Sequence, residues 1–150
     1  RLRSVFDQKE IKVSFKTSIK NSVTNADRGK LNEVLENIIM NAVKYMDEKS
    51  NAKKIDINLK KEKNKIILNI KDSGIGIDKK DLKKVFEEFY RVDNSRHDAA
   101  ASSGLGLSIC KRIIEKHDGR IWAESGGKGK GSIFVIELPV NHKESVRSDD

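Results

Sequence analysis

Lys65-Ile66-Ile67-Leu68-Asn69-Ile70-Lys71-Asp72-Ser73-Gly74-Ile75-Gly76-Ile77 is the stretch on which the fold turns. Ile66, Leu68 and Ile70 fall on one side of an extended chain, the alternation of a strand with one apolar face. Asp72-x-Gly74-x-Gly76 then breaks the strand with a glycine loop. Just upstream, residues 54–60 alternate in the same way, with Ile55, Ile57 and Leu59 inward. The Lys-Glu-Lys-Asn stretch at 61–64 between the two runs reads as a hairpin turn.

Further out, residues 11–19 alternate with Ile11, Val13, Phe15 and Ile19 on one face, which predicts a half-buried strand. Asn25 or Asp27 is placed to cap a helix running to about Asp47, and Leu31, Val34, Leu35, Ile38, Ile39, Ala42, Val43 and Met46 recur at helical spacing. Downstream, Asp81–Phe89 predicts a short helix. Residues 92–103 carry no periodicity and are expected to form a mobile loop. Gly104 opens a helix with Leu105, Ile109, Ile113 and Ile114 that ends near Gly119. Arg120–Ser125 and Ser132–Leu138 predict two closing strands joined by a Gly/Lys turn, and a polar tail follows Pro139. Strands with one apolar face need one layer of helices. The expected class is therefore α+β: a two-layer α/β sandwich whose mixed, mostly antiparallel sheet is covered on one face by about three helices.

Composition narrows the function classes. The 150 residues are 36% hydrophobic and 36% charged, with a formal net charge of +8. That suits one globular domain with a solvated surface, and no apolar run approaches the roughly 20 residues of a membrane span. The single Cys110 excludes an internal disulfide and a Cys-built zinc site, and fits a reducing compartment. The positive charge invites a phosphate-rich ligand, an acidic protein or nucleic acid. Aromatics are only 5%, too few for base-stacking platforms, and no nucleic-acid partner is expected. The chain does not open on methionine or on a leader-like apolar stretch, and is expected to be a piece of a longer protein.

Three constellations carry chemistry. Asn37, Asn41 and Lys44 share one stripe of the long helix, away from its apolar face. Asparagine is a poor helix former, so two of them one turn apart suggest a role, although a plain solvated face fits too. An amide oxygen can serve Mg²⁺ as a hard ligand, and a lysine can meet phosphate as a point charge. In Asp72-x-Gly74-x-Gly76, the glycines permit close backbone approach to a ligand, and the aspartate can accept from an exocyclic amine such as adenine's. A simple glycine turn is the alternative. No third glycine in register makes this a dinucleotide fingerprint. Gly104-Leu105-Gly106-Leu107 opens a helix whose N–H groups can hold an anion; it is either a phosphate site or a glycine cap, and no Walker lysine follows it.

In this order the constellations resemble the histidine kinase branch of the Bergerat-fold ATP-binding superfamily. Asn37-Ile38-Ile39-Met40-Asn41-Ala42-Val43-Lys44-Tyr45 is similar to the N box and Asp72–Ile77 to the G1 box. Phe86-Glu87-Glu88-Phe89-Tyr90-Arg91-Val92-Asp93 is similar to the F box, and Gly104–Ile109 to the G2 box. Gly119–Ser125 and Gly129-Lys130-Gly131-Ser132 also match, so the resemblance covers about residues 11–139. It implies an ATP-binding catalytic domain over 11–139, a remnant of the connection to a dimerisation and phosphoacceptor domain over 1–10, and a polar tail over 140–150.

The resemblance further implies ATP and Mg²⁺ as cofactors. Asn41 would hold the metal and Asn37 would lie beside the phosphates. Lys44 and Arg91 would contact phosphate, and Tyr45 would pack on adenine. Asp72 would bind the adenine amine in a pocket shaped by Gly74, Gly76 and Ile77. Gly104, Leu105, Gly106 and Leu107 would let the lid and helix approach the phosphates. Residues from about Val92 to Ser103 would form the lid, where Ser102 stands in place of the family's usual glycine. That departure leaves open a nucleotide-binding regulatory module with weak or no kinase activity. The implied reaction is transfer of the γ-phosphoryl group to a histidine on a separate dimerisation domain, with a response regulator downstream. His97, His117 and His142 lie outside any acceptor motif. The resemblance also implies a monomeric fragment and a cytoplasmic location in a membrane-anchored parent. Gyrase-, Hsp90- and MutL-like hydrolases use a glutamate where this chain has Asn37; Glu36 is one residue out, about 100° around the helix.

Overall fold

The computed structural model describes residues 2–90 and 106–141. Its elements are α1 (Leu2–Gln8), β1 (Lys12–Thr17), α2 (Arg28–Lys44), β2 (Lys54–Glu62), β3 (Lys65–Asp72), α3 (Gly106–Lys116), β4 (Arg120–Glu124) and β5 (Ser132–Pro139). The five strands form one sheet in the order β1-β2-β3-β5-β4. Only β1 and β2 run parallel, joined through α2 as a crossover; the other pairs are antiparallel. The predicted mixed, mostly antiparallel sheet under three helices is the observed architecture.

Strand alternation decides which side is core. Ile55, Ile70, Phe134, Ile136 and Ile121 face the helices and are buried. They meet Val34, Ile38 and Ala42 of α2 and Cys110, Ile113 and Ile114 of α3. On the opposite face Trp122 sits beside Val135, with the Arg120 guanidinium 5.1 Å from its ring and its Nε1–H donating to Glu124 at 3.0 Å.

Helix α2 begins where the sequence predicts, because the Asp27 side chain accepts from Lys30 N–H at 3.0 Å, a cap worth about 1 kcal/mol. His117, just beyond α3, ties the two long helices together. Its Nε2 accepts from Asp27 N–H at 3.0 Å, which places the ring proton on Nδ1, 2.7 Å from the Ile113 carbonyl.

Three expectations need correction. Val13 and Phe15 on β1 are 40% and 60% exposed, not buried; β1 is the edge strand of the sheet, paired on one side only. Residues 81–89 do not form an α-helix. They form two 3₁₀ turns, Lys79–Asp81 and Lys84–Phe86, and the chain reverses at Phe89, whose φ is +63°. The hairpin turn is shorter than 61–64, since β2 runs to Glu62 and β3 restarts at Lys65. Residues 2–8 form helix α1, whose Val5 and Phe6 pack on the core. The expected loop over 92–103 lies outside the described residues.

A cavity between the α2 stripe and the glycine loop

A cavity of about 480 Å³ opens between α2, the loop after β3 and the start of α3. Asn37, Asn41, Lys44 and Tyr45 line it from the helix. Asp72, Gly76 and Ile77 line it from the sheet, and Gly106 and Leu107 from α3. Three stretches far apart in sequence thus face one space. Gly74 is not among the lining residues; it sits between Asp72 and the Tyr45 carbonyl. Arg91, Gly104 and Leu105 lie outside the described residues, as do Ser102, His97 and His142.

At the sheet end, Asp72 is only 4% exposed. Its Oδ1 accepts from Gly74 N–H at 2.9 Å and Ser132 N–H at 3.3 Å, and its Oδ2 from the Ser132 hydroxyl at 2.6 Å. A carboxylate has about four acceptor sites, and these bonds use three. Burial pushes the Asp72 carboxyl above its ordinary value, against the bonds from Ser132 and Gly74 that pull it down. The cavity therefore presents one open acceptor site on a desolvated carboxylate. Ser132 was not among the residues expected at the site. It sits 60 positions away and reaches Asp72 because the β3–β5 register pairs the two. Its place after Gly129-Lys130-Gly131 was the available signal.

The glycines earn their positions by contact. A Cβ on Gly74 would fall 2.3 Å from the Tyr45 carbonyl, and one on Gly76, at φ +76°, would fall 2.1 Å from the Gly127 carbonyl. Tyr45 ends α2, and its carbonyl accepts from Ile75 N–H at 3.0 Å, so the helix end and the loop are locked together.

At the helix end, Lys44 Nζ lies 5.2 Å from the centre of the Tyr45 ring, within cation–π range. Asn37 lies against α3: a Cβ on Gly106 would sit 3.7 Å from its Oδ1, an ordinary contact. Beneath it Cys110 is fully buried, and its thiol rises to about 11, chiefly from burial, with the Asn37 amide opposing. Tyr90, also a lining residue missed in the sequence, is swung inward by the turn at Phe89. Its hydroxyl donates to buried Asp81, which pushes the phenol up to about 12, with burial adding to the effect.

Among the described residues no group of three His, Cys, Asp or Glu side chains could hold a metal ion. Mg²⁺ keeps several waters and takes one or two protein oxygens alongside substrate phosphates. The single amide oxygen of Asn41 on the cavity wall fits that role. A cavity this size, lined by a buried acceptor, side-chain amides and an ammonium, suits a nucleoside polyphosphate.

Residues 26–142 match the family described as Histidine kinase-, DNA gyrase B-, and HSP90-like ATPase. The chain is 44% identical over 124 residues to the sensor histidine kinase WalK of Bacillus subtilis, covering 82% of this chain and 20% of that protein. It is 41% identical over 118 residues to the sensor protein kinase WalK of Staphylococcus aureus, covering 77% and 28%. Among solved structures, the mycobacterial sensor histidine kinase MprB superposes with a TM-score of 0.79 at 25% identity, over 93% of this chain and 91% of that one. The catalytic domain of histidine kinase ThkA gives 0.74 at 29%, over 92% and 90%. The chain thus spans a small part of the curated relatives and nearly all of the solved catalytic domains. The chain belongs to the histidine kinase-, DNA gyrase B- and HSP90-like ATPase family and is a catalytic domain of the sensor histidine kinase type.

Proposed function

We propose that this domain binds Mg-ATP and transfers its γ-phosphoryl group to a histidine imidazole on a separate dimerisation domain, as one step of two-component signalling. The observation that carries the reading is Asp72, a buried carboxylate on the cavity wall with one acceptor site open. Adenine offers an amine donor to such a site. Tyr45 supplies an aromatic wall, and Gly74 and Gly76 let the loop approach.

Phosphoryl transfer depends mainly on positioning and charge neutralisation. In the reaction the bond between the γ-phosphorus and the bridging oxygen breaks, a phosphorus–nitrogen bond forms, and ADP leaves. Asn37 and Lys44 orient and neutralise the phosphates from α2. Gly106 and Leu107 offer the start of α3 to them, and Arg91, Gly104 and Leu105 are assigned to the same end. Asn41 is the residue to hold Mg²⁺, whose charge would be shared with the phosphate oxygens. The general base of the hydrolase branch has no counterpart at Asn37, an amide, which favours transfer to a protein acceptor over hydrolysis.

Two partners follow: the dimerisation and phosphoacceptor domain, and a response regulator. A structure of ThkA in complex with the response regulator protein TrrA, superposing at a TM-score of 0.69 and 28% identity, supports the second. The domain alone is proposed to be monomeric, and its parent to be membrane-anchored with this domain in the cytoplasm. Among the described residues no helix is long and apolar enough to cross a membrane.

Calorimetric titration with a non-hydrolysable ATP analogue, with and without Mg²⁺, tests the site. Mixing the domain with ATP and a separately expressed helical acceptor domain tests the transfer. Binding without any phosphohistidine formed would sink the kinase assignment while leaving the nucleotide site standing.

A further inference from the structure

Ser125 lies at the end of β4, outside the cavity lining, yet its hydroxyl sits where the two loops that build the adenine end meet. It donates to the Gly131 carbonyl at 2.6 Å and accepts from Ile77 N–H at 3.1 Å and Gly127 N–H at 3.2 Å. A serine hydroxyl has one donor and two acceptor sites, and this one uses all three. Each partner leads to the site. Ile77 is a wall of the cavity. Gly131 donates its N–H to the Gly74 carbonyl at 3.1 Å, and the next residue, Ser132, holds both oxygens of Asp72. Gly129 N–H to the Ile75 carbonyl, at 2.7 Å, closes the same seam. The two loops are pressed together closely enough that a Cβ on Gly131 would lie 2.1 Å from the Asp72 carbonyl.

We propose that Ser125 is a positioning residue that sets base selectivity, fixing the open acceptor site of Asp72 relative to the wall at Ile77. The inference rests on the ATP-binding reading above and adds the residue that makes the base contact discriminating. A carboxylate rejects a base carbonyl and accepts a base amine only where the base cannot shift to avoid it. Without the hydroxyl, two backbone N–H groups lose their acceptor and the Gly131 carbonyl loses its donor, so the seam is left with its backbone bonds and the Ser132–Asp72 bonds and loosens where discrimination needs it fixed.

The test compares the 150-residue chain with Ser125→Ala and Ser125→Thr. Non-hydrolysable ATP is titrated in competition with inosine triphosphate, which carries a carbonyl where adenine has its amine. Ser125→Ala should weaken the adenine nucleotide about tenfold and the inosine nucleotide by less than about twofold, so that the ratio collapses. Ser125→Thr, which keeps the hydroxyl, should retain the wild-type ratio. Equal losses for both nucleotides would mean that Ser125 serves the fold alone, and unchanged affinities would also overturn the proposal. If Ser125→Ala does not fold, amide exchange in the wild type decides. The Ile77 and Gly127 amides should be protected, and exchange at free-chain rates would overturn the brace. Wild-type protein that binds no ATP would remove the underlying nucleotide reading, an outcome distinct from a wild type that binds and a variant that binds equally.

Discussion

Replacing Asp72 with asparagine should separate the binding role of this residue from its effect on the fold. An asparagine keeps Oδ1 to accept from Gly74 and Ser132 N–H, and its amide can donate to the Ser132 hydroxyl, so the local geometry survives. What changes is the open position: an acceptor becomes an N–H facing the adenine amine, donor against donor. A hydrogen bond to a charged acceptor contributes about 1.5–3 kcal/mol, so ATP affinity should fall roughly 10- to 150-fold. Stability should move the other way with pH. The folded carboxyl titrates above its ordinary value of 3.8 because it is buried. Its contribution is therefore fully present below that value and is lost as pH rises through the higher folded value. The amide has no such loss. The stability of Asp72→Asn relative to wild type should accordingly rise with pH above about 4 and then level off. Urea denaturation at pH 4 and pH 7.5, without nucleotide, reads this directly, and calorimetry reads the affinity. A variant that binds ATP within about threefold of wild type, or a stability gap that stays flat across the pH range, would refute the reasoning.

Other expectations concern the rest of the cavity. Asn41→Ala should weaken ATP roughly tenfold with Mg²⁺ present and by less than about twofold in chelator, measured by the same titration. Gly131→Ala, at φ +67° with a Cβ 2.1 Å from the Asp72 carbonyl, should cost at least about 2 kcal/mol in denaturant unfolding. Gly106→Ala meets nothing closer than 3.7 Å and should leave the nucleotide-free domain as stable or up to about 1 kcal/mol more stable, while ATP affinity falls. Cys110, fully buried and with its thiol pushed up to about 11, should resist alkylation at pH 8 in the native domain and react at once in denaturant, as followed by mass spectrometry.

What was legible in the sequence was mostly local. Asp27 caps α2 through its own side chain, and the apolar period of that helix is long enough to be unambiguous, so Asn37, Asn41 and Lys44 could be placed on one stripe. The hairpin β2–β3 followed from alternation and the glycine loop from composition. Alternation could not reveal whether anything covers a strand, and the chain around β1 shows the difference: Ile11, just before the strand, is buried while Phe15, four residues on, stands 60% exposed. Helix α1 is seven residues long, too short for a period to declare itself. Ser132 and Ser125 were missed as site residues for another reason. Their importance comes from pairing across the sheet and between two loops, and no spacing within the chain encodes that.

The position of Trp122 has a practical consequence. It is the chain's one tryptophan, and it lies with Arg120 and Glu124 on the face of the sheet turned away from the cavity. Its emission should therefore respond to loss of the sheet and stay nearly constant when nucleotide enters. Intrinsic fluorescence can then follow unfolding at any ATP concentration without a correction for the bound state, and a ligand-induced rise in the unfolding midpoint becomes a clean measure of affinity.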